Sequence, residues 1–589
     1  MKLQRAKIWV LALLSMAGGT AMGQTTAYTG GYAATSANDL WNGSTEFFIY
    51  NPGKKLWVQP ANARHRYNNN TSTTYLSVGE TGFTFKMTDY ESSDDHVKLS
   101  PQLTGDKANV RIGWQTDNDM LQWDNSNTGG IGHGSDWYFG IGRNGTYILH
   151  DNGGLYANDR IRIETASGRT YLGRHTQTGS SSNDDDNEEW IFVTEATRRN
   201  TMKDYANQGK TFDVSYWMGN YDFREGYYAE GSGKEDSWDR NRSKFSEEKD
   251  GGNNDWSKAF NSCQIHNVWN SNNYRISQTI DDLPNGHYRF RVQAAYRDGN
   301  RADVGTRWTN GTENLRAKYY IYSNDDITGL VMGSNFIRKE NSVKSILSEA
   351  PTTSTSYWNT LCENSGRYVP DNADDWSRLW GNNTEAYWND YIDVFVTNHS
   401  LSLGIYKNGN SGGDWLCMSE FQLLYYEATK AEYQSVLKHY TDAVRPMFDR
   451  LSTDVKNTWR TKMETAEARA NGNADDPSAS VGYYETSIDD MRELYNIKDM
   501  SVLIRTCLLA DEEGADESVT GDAWTFISSV EADNNNYNEE TYNDHLNKVR
   551  VARKVAHIEQ DNATYTGHTP AAGNYYLYNV GRKAYLSSG

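Results

Sequence analysis

Hydrophobic and polar positions alternate in short stretches through most of the first 427 residues, and clusters of Gly, Asn and Asp separate these stretches. Such alternation predicts β-strands joined by turns. From residue 428 to residue 562 the apolar positions instead recur every three or four residues, which predicts amphipathic helices. We therefore expect a mainly β, multidomain chain that ends in a small α-helical bundle acting as a spacer.

Three aromatic-x-Phe triplets begin at Phe83, Trp137 and Trp190, at steps of 54 and 53 residues. A near-constant period indicates one unit copied three times. Each unit is too short to bury its own apolar face, so the three should close against one another over residues 28–197 as a β-trefoil. The three aromatic residues are expected at equivalent positions, as plugs of the core.

The threefold segment resembles the ricin-type lectin trefoil, whose repeats end in a Gln-x-Trp-x-Phe signature. The resemblance covers the aromatic-x-Phe spacing and the opening strand Phe47–Asn51. Thr81, Ser135 and Glu188 stand at the positions where the signature has Gln. In the family that position helps to brace the sugar pocket, so the resemblance implies the fold more directly than it implies ligand sites.

A polar helix or linker is expected over residues 198–209, and a second β-rich segment follows over residues 210–427. Its alternation and turn spacing predict an antiparallel sandwich. The ordered motifs Leu283–Tyr288, Ala295–Gly299 and Gly413–Cys417 resemble the galactose-binding-like jelly-roll module of secreted, multi-module bacterial proteins that act on glycans. The resemblance implies sugar binding by loops at one end of the sandwich, and it leaves open a structural calcium ion as the sole cofactor.

Aromatic residues make up 13% of the chain, with 40 Tyr and 19 Trp, which is more than its modest hydrophobicity requires for cores. Five Trp residues fall in long polar loops of the sandwich, where at least one is expected to be an exposed platform for a sugar ring. The alternative is that they pin these loops onto the sandwich. The candidate ligand-binding residues are Arg297, Asp298, Trp308, Trp380, Trp388 and Asn408, and Trp358 and Trp376 complete the five Trp residues.

No catalytic constellation is visible in the sequence, so no catalytic residue is assigned. H-E-x-x-H and G-x-S-x-G do not occur, and the 12 His are scattered without the spacing of metal ligands. Gly140–Gly145 matches G-x-G-x-x-G, but a strand pattern follows it, which predicts a glycine-rich β-turn and not a nucleotide site. The acidic runs Asp184–Glu189 and Asp374–Asp375 are interpreted as solvated loops, with calcium binding as the alternative.

Charge and cysteines narrow the classes of partner further. A net charge of −20 makes nucleic acid a poor partner. Cys263, Cys362, Cys417 and Cys507 are widely spaced without a C-x-x-C pair, so neither a zinc ribbon nor a thioredoxin-like site is predicted. A disulfide among the first three and buried thiols are both open interpretations.

Residues 1–23 have the pattern of a secretory signal peptide. Lys2, Arg5 and Lys7 precede a short apolar run, and small residues before Gln24 offer a cleavage site. No later apolar stretch reaches the roughly 20 residues that a membrane-spanning helix needs. We therefore expect an exported protein that is extracellular, periplasmic or on the cell surface.

The last twenty residues, 570–589, repeat the opening strand of the threefold segment. Tyr50, Asn51, Gly53 and Lys55 recur as Tyr578, Asn579, Gly581 and Lys583. This repeat predicts the truncated start of a second trefoil-like module.

The combined expectation is an exported, non-catalytic, carbohydrate-binding multi-module protein that recognises glycans or glycoproteins through aromatic platforms. One alternative is the targeting arm of a secreted glycoside hydrolase whose catalytic domain lies beyond residue 589. Another is a surface adhesin or scaffold that binds protein. The sequence sets no oligomeric state.

Overall fold

The structure is a computed structural model that describes residues 32–60, 76–91, 96–101, 112–114, 121–122, 136–151, 159–166, 169–176, 186–206, 211–219, 221, 246–250, 253–260, 263–323, 338–426, 428–449, 451, 453–472, 481–495, 500–533, 536–561, 578–579 and 584–585. The predicted signal peptide, residues 1–23, lies outside the described residues. Within the described part, no helix is long and apolar enough to cross a membrane.

The first unit is an antiparallel ring of six strands with three hairpins beside it. A short helix, α1 (Ala37–Leu40), precedes it, and β1 pairs with both β4 and β12. The ring continues through β5, β8 and β9 back to β12, so it closes on itself. The strands are β1 (Phe47–Asn51), β2 (Leu56–Pro60), β3 (Leu76–Gly79), β4 (Thr84–Glu91), β5 (His96–Pro101), β6 (Gly113–Trp114), β7 (Leu121–Gln122), β8 (Trp137–Ile141), β9 (Tyr147–Asp151), β10 (Asp159–Ala166), β11 (Arg169–Thr176) and β12 (Glu189–Thr194).

Two of the repeated aromatic residues have matching environments inside the ring. Trp137 and Trp190 are fully buried, and each indole Nε1 donates to a backbone carbonyl, Ile112 O at 3.1 Å and Ile161 O at 3.2 Å. Phe83 is partly buried and packs against the same core. A buried indole N–H needs such a partner, so the repeat preserves a hydrogen bond as well as an apolar plug.

The glycine-rich stretch 140–145 forms a turn between two strands, as predicted. β8 ends at Ile141, a single 3₁₀ turn covers Arg143–Gly145, and β9 begins at Tyr147. Asn144 has φ 53°, a backbone conformation that Asn tolerates in turns. Since no helix follows the glycines, the geometry of a dinucleotide site is missing here.

A helix and a short strand connect the ring to the sandwich. The predicted linker helix is α2 (Glu195–Ala206), which begins three residues earlier than expected because Thr194 Oγ1 accepts from the Thr197 amide at 3.3 Å and stabilises the first turn. Strand β13 (Phe212–Asp213) follows and already pairs with β25 of the sandwich.

The sandwich has two antiparallel sheets. The front sheet has the order β15-β16-β25-β18-β23, with β13 on β25, and the back sheet has the order β14-β17-β24-β19-β20. The elements are β14 (Ser246–Asp250), β15 (Asn253–Phe260), β16 (Cys263–Trp269), β17 (Asn273–Ile280), β18 (Gly286–Arg297), α3 (Arg301–Asn310), β19 (Ala317–Ser323), β20 (Arg338–Ser342), β21 (Thr360–Cys362), β22 (Arg367–Val369), α4 (Ala373–Asn382), β23 (Ile392–Val396), β24 (Leu401–Asn408) and β25 (Trp415–Tyr426).

Part of the front sheet is buried on both faces. Along β25, Leu416 and Met418 point into the core between the sheets, whereas Trp415 and Cys417 point outward. The outward side chains pack under an insert that we define as residues 343–389, which carries β21, β22 and α4. The insert thus closes off one part of the outer face of the front sheet.

The helical region follows directly on β25. The apolar positions of residues 428–562 predict three helical stripes, whereas the described part of this region has six helices. Loops split two of the stripes, and the helix Glu517–Ala532 falls outside all three. Pro446 lies in the last turn of the first helix, which ends at Phe448, and the next helix begins at Thr453. The helices are α5 (Lys430–Phe448), α6 (Thr453–Ala470), α7 (Val481–Tyr495), α8 (Ser501–Glu512), α9 (Glu517–Ala532) and α10 (Glu539–Asp561).

The repeated segment at the end of the chain forms a pair of short strands, β26 (Tyr578–Asn579) and β27 (Ala584–Tyr585). Tyr578 pairs with Tyr585, which is the register in which Tyr50 pairs with Trp57 in the β1–β2 hairpin. The other residues of the stretch 570–589 lie outside the described part of the chain.

Candidate functional site

Three long side chains form a row across the loop end of the front sheet. Trp269 is directly opposite Trp415, and Trp415 is directly opposite Arg297, in adjacent antiparallel strands. Directly opposed residues project from the same face of a sheet, so the three side chains are neighbours, and Trp269 and Arg297 are about 10 Å apart across two strand spacings. We call this set the loop-end row.

The loop-end row stands on two loops that are bonded to each other. The Asn270 amide donates to Asp414 O at 2.8 Å, and Asn270 Oδ1 accepts from the Gly413 amide at 2.8 Å. Asn410 Nδ2 donates to Asn270 O at 3.1 Å. Asn270 at φ 55° and Gly413 at φ 78° adopt left-handed conformations, which Asn and Gly accept at little cost. These bonds fix the strand ends that carry the row.

Beneath these loops lies a fully buried ion pair. Lys407 Nζ is 2.7 Å from Asp414 Oδ2, and both side chains are shielded from solvent. Tyr296 Oη donates to the same carboxylate oxygen at 2.7 Å, and Lys407 also donates to Ser271 O. Burial lowers the pKa of Lys407, against the opposing effect of Asp414. The pair ties β24 to β25 and gives the loop end a rigid base.

Arg297 and Asp298, both predicted to bind ligand, are tied into the protein. The Arg297 guanidinium lies 5.3 Å from the Trp415 ring centroid, forms an ion pair with Asp371, and donates to Gly299 O at 3.1 Å and Gly413 O at 3.2 Å. Asp298 Oδ1 is 2.9 Å from Arg307 Nη1. Both residues are nearly inaccessible, which leaves a structural role for most of their polar atoms.

The accessible members of the loop end are different residues. Trp269 is 43% exposed, and no ring or cation among the described residues covers its indole. Arg301, whose side chain is 49% exposed, shares Asp371 with Arg297 at 3.4 Å. Asn408, the remaining predicted polar residue, is exposed at the end of β24. Trp269 offers an open apolar face at the rim of the front sheet. Asn408 instead lies on the back sheet, where alternation places it on the face turned away from the core residues Leu403 and Ile405.

The predicted Trp platforms are mostly inside the fold. Trp376 and Trp380 belong to the insert and are 1% and 0% exposed, on the side of α4 that packs against the front sheet. Trp388 is also buried: its Nε1 donates to Thr384 O at 3.2 Å and its ring is covered by Arg291. Trp308 and Trp358 are partly buried against the same cluster. A buried ring has no face for a sugar, so the loop-pinning interpretation describes Trp376, Trp380 and Trp388.

Trp269 is not among the five predicted platforms, because those five fall in polar segments assigned as loops and Trp269 ends a strand. It is the last residue of β16, and Asn270–Asn273 follow it as a polar turn. A Trp at the point where a strand runs into an Asn-rich turn faces the rim of a sandwich, which is the available sequence signal. The ligand-binding roles of Arg297, Asp298, Trp308, Trp380, Trp388 and Asn408 stay predictions.

The described residues contain neither a metal-binding cluster nor a disulfide between Cys362 and Cys417. Across that part of the chain, no three His, Cys, Asp or Glu side chains come together in a group that could hold a metal ion. Cys362 and Cys417 are free and buried, so neither forms a disulfide with the other or with Cys263, and burial raises the pKa of Cys362 to about 12. Asp374 lies in the first turn of α4, where it pairs with Arg378 at 3.0 Å.

Comparisons with known proteins give distant structural likeness alone. No protein-family model and no curated protein matches the chain. It is similar to the carbohydrate-binding module TmCBM61 in complex with β-1,4-galactotriose, with 13% identity over 35% of this chain and 96% of that one and a TM-score of 0.18. It is similar to β-sandwich carbohydrate-binding modules of promiscuous specificity, with 12% identity, 49% and 96% coverage and a TM-score of 0.16. For Cry35Ab1 the identity is 9%, the coverage 77% and 100%, and the TM-score 0.18. TM-scores this low carry no argument about function.

Proposed function

We propose that this chain is an exported, non-catalytic carbohydrate-binding protein whose sugar site is centred on Trp269, the exposed member of the loop-end row. The observation that carries the proposal is the open indole of Trp269, in register with Trp415 and Arg297 on a rigid strand end. Covering about 100 Å² of the indole with a sugar ring would contribute about 2.5 kcal/mol before ordering costs. Arg301, which shares Asp371 with Arg297, is the donor that we assign to the hydroxyl groups.

The finer fold assignments belong to the same proposal. The closed six-strand ring with three flanking hairpins supports a β-trefoil in the first unit. The two facing sheets of six and five strands support a jelly-roll sandwich in the second. In this account the first unit and the sandwich are both recognition modules, and the helical region is a spacer.

A glycan array probed with the full chain tests the proposal. We expect signal on a restricted set of glycans, loss of that signal in Trp269→Ala, and unchanged signal in Tyr537→Ala. Tyr537 is 48% exposed in the helical region, so it matches Trp269 in exposure and lies far from the row in the chain. A Trp269→Ala variant that keeps the wild-type array profile would exclude the loop-end row.

A further inference from the structure

The outer face of the front sheet carries a second polar feature outside the loop-end row. The guanidinium carbon of Arg291 lies 4.2 Å from the ring centroid of Trp388 and 4.6 Å from that of Tyr391. Arg291 Nε donates to Gln422 Oε1 at 2.7 Å, across the β18–β25 register. Two rings and one hydrogen bond therefore hold the plane of this guanidinium.

The residue that holds Arg291 is itself fixed. Gln422 Oε1 also accepts from Tyr391 Oη at 2.7 Å, and Gln422 Nε2 donates to Asp213 Oδ2 at 2.8 Å. Asp213 Oδ1 accepts from the Ser215 amide at 2.9 Å and from Thr81 Oγ1 at 3.1 Å. Each supporting group has a defined partner, so the orientation of the Arg291 fork is set before any ligand arrives.

The outer edge of the fork is open. Over the residues that the structure describes, neither Arg291 Nη1 nor Nη2 has a hydrogen-bond or ion-pair partner. Arg289, two residues earlier on the same face, is instead bonded through two nitrogens to Asp393, at 3.1 and 3.2 Å. In a chain of net charge −20, Arg291 thus differs from Arg289 in having no carboxylate at its fork among the described residues.

We propose that Arg291 binds an oxyanion of an acidic glycan, either the carboxylate of a uronic acid or a sulfate ester. The planar fork offers two parallel N–H donors, which match two oxygens of one anionic group. Trp388 and Tyr391 lie against the guanidinium, and its two Nη groups are the part without a protein partner among the described residues. The inference rests on the proposed glycan-binding function and adds a charge preference at a separate position on the sandwich.

Calorimetric titration of the full chain tests the site with three probes: trigalacturonate for the carboxylate, a κ-carrageenan tetrasaccharide for the sulfate ester, and neutral β-1,4-galactotriose. We expect tighter binding of at least one acidic probe, and about tenfold weaker binding of that probe by Arg291→Lys, which keeps the charge and loses the fork. Arg289→Lys is the matched control and should bind as wild type does. The preferred acidic probe identifies the source of the oxyanion.

Two results would overturn the inference: wild-type protein that does not prefer either acidic probe, or Arg291→Lys that keeps wild-type affinity for the preferred one. Arg291→Gln, which retains a donor to Gln422, replaces Arg291→Lys if that variant does not fold, as judged by its melting temperature. The proposed function fails separately, when galactotriose and other neutral glycans bind Trp269→Ala as well as wild type.

Discussion

The guanidinium carbon of Arg198 lies 3.8 Å from the ring centroid of Tyr216, and this contact joins the first unit to the sandwich. Phe48 and Trp57, from the first unit, face the same guanidinium at 4.5 and 4.0 Å. Arg198 Nη2 also donates to Thr81 O at 2.8 Å and to Asp213 O at 3.3 Å. The predicted polar linker helix thus carries a buried cation that holds two modules together.

Replacing Arg198 with Ala should lower the free energy of unfolding by about 3 kcal/mol, because buried carbonyls lose their donor and three rings lose a cation. Urea unfolding followed by Trp fluorescence measures the change. Arg378→Ala removes an exposed helix-surface ion pair with Asp374 and should cost less than about 1 kcal/mol. Equal losses in the free energy of unfolding for the two variants would show that Arg198 does not stabilise the junction between the first unit and the sandwich.

The buried pair at the base of the loop end should behave differently from surface pairs. Asp414→Ala leaves the Lys407 ammonium buried without its carboxylate, so we expect a loss of about 3 to 5 kcal/mol. The double variant Lys407→Met, Asp414→Leu removes both charges and should regain most of the stability that Asp414→Ala loses. Asp442→Ala breaks the exposed pair with Lys438 and should cost less than about 1 kcal/mol. If denaturant unfolding shows that Asp414→Ala lowers the free energy of unfolding no more than Asp442→Ala does, this account is contradicted.

The junction between the sandwich and the helical region should depend on pH. His399 Nε2 is 3.2 Å from Asp489 Oδ1 of α7, and this hydrogen bond raises the pKa of His399 above 6.5, against burial and Arg492. A raised folded-state pKa gives stability that is complete below the unfolded pKa and is lost as pH rises through the folded one. The urea midpoint should therefore decrease as the pH rises above about 6.5, through the raised pKa of His399. Asp489→Asn should make the urea midpoint less dependent on pH in this range. An unchanged dependence would show that the His399–Asp489 pair is not its cause.

The loss of stability on replacing a Trp with Ala should depend on how deeply that Trp is buried. Trp380→Ala empties a fully buried position and should cost about 3 to 5 kcal/mol, whereas Trp269→Ala at a half-exposed rim should cost less than about 1 kcal/mol. Thermal unfolding of both variants measures the contrast. Similar losses would mean that the indole of Trp269 is packed and not open.

Strand alternation gave good predictions of the sheets because it reports burial directly. The alternating residues from Gly286 to Tyr296 have the pattern of a strand, and β18 spans Gly286–Arg297. The register of its far end was not predictable, since a β-bulge between Gln293 and Ala294 shifts its pairing with β25. That shift and the insert determine which residues of the Ala295–Gly299 motif meet solvent.

The candidate site was only partly predictable, because Trp residues in segments assigned as loops were expected to be exposed. Trp376 and Trp380 are four residues apart, the spacing of one helix face, and both lie on the buried side of α4. A sequence so rich in Asn and Asp hides that helix, because its N-cap, Asn372, resembles the surrounding turns. Coverage of the front sheet by the insert is a tertiary fact that no local pattern carries.

Isothermal titration of the full chain with the tightest glycan from the array tests the central claim most directly. We expect Trp269→Ala to weaken binding by about tenfold or more, and Trp269→Phe, which keeps a smaller ring, to fall between Ala and wild type. Unfolding temperatures close to that of the wild type should accompany both variants. Wild-type affinity in Trp269→Ala would contradict the account, because the loop-end row would then have no part in recognition.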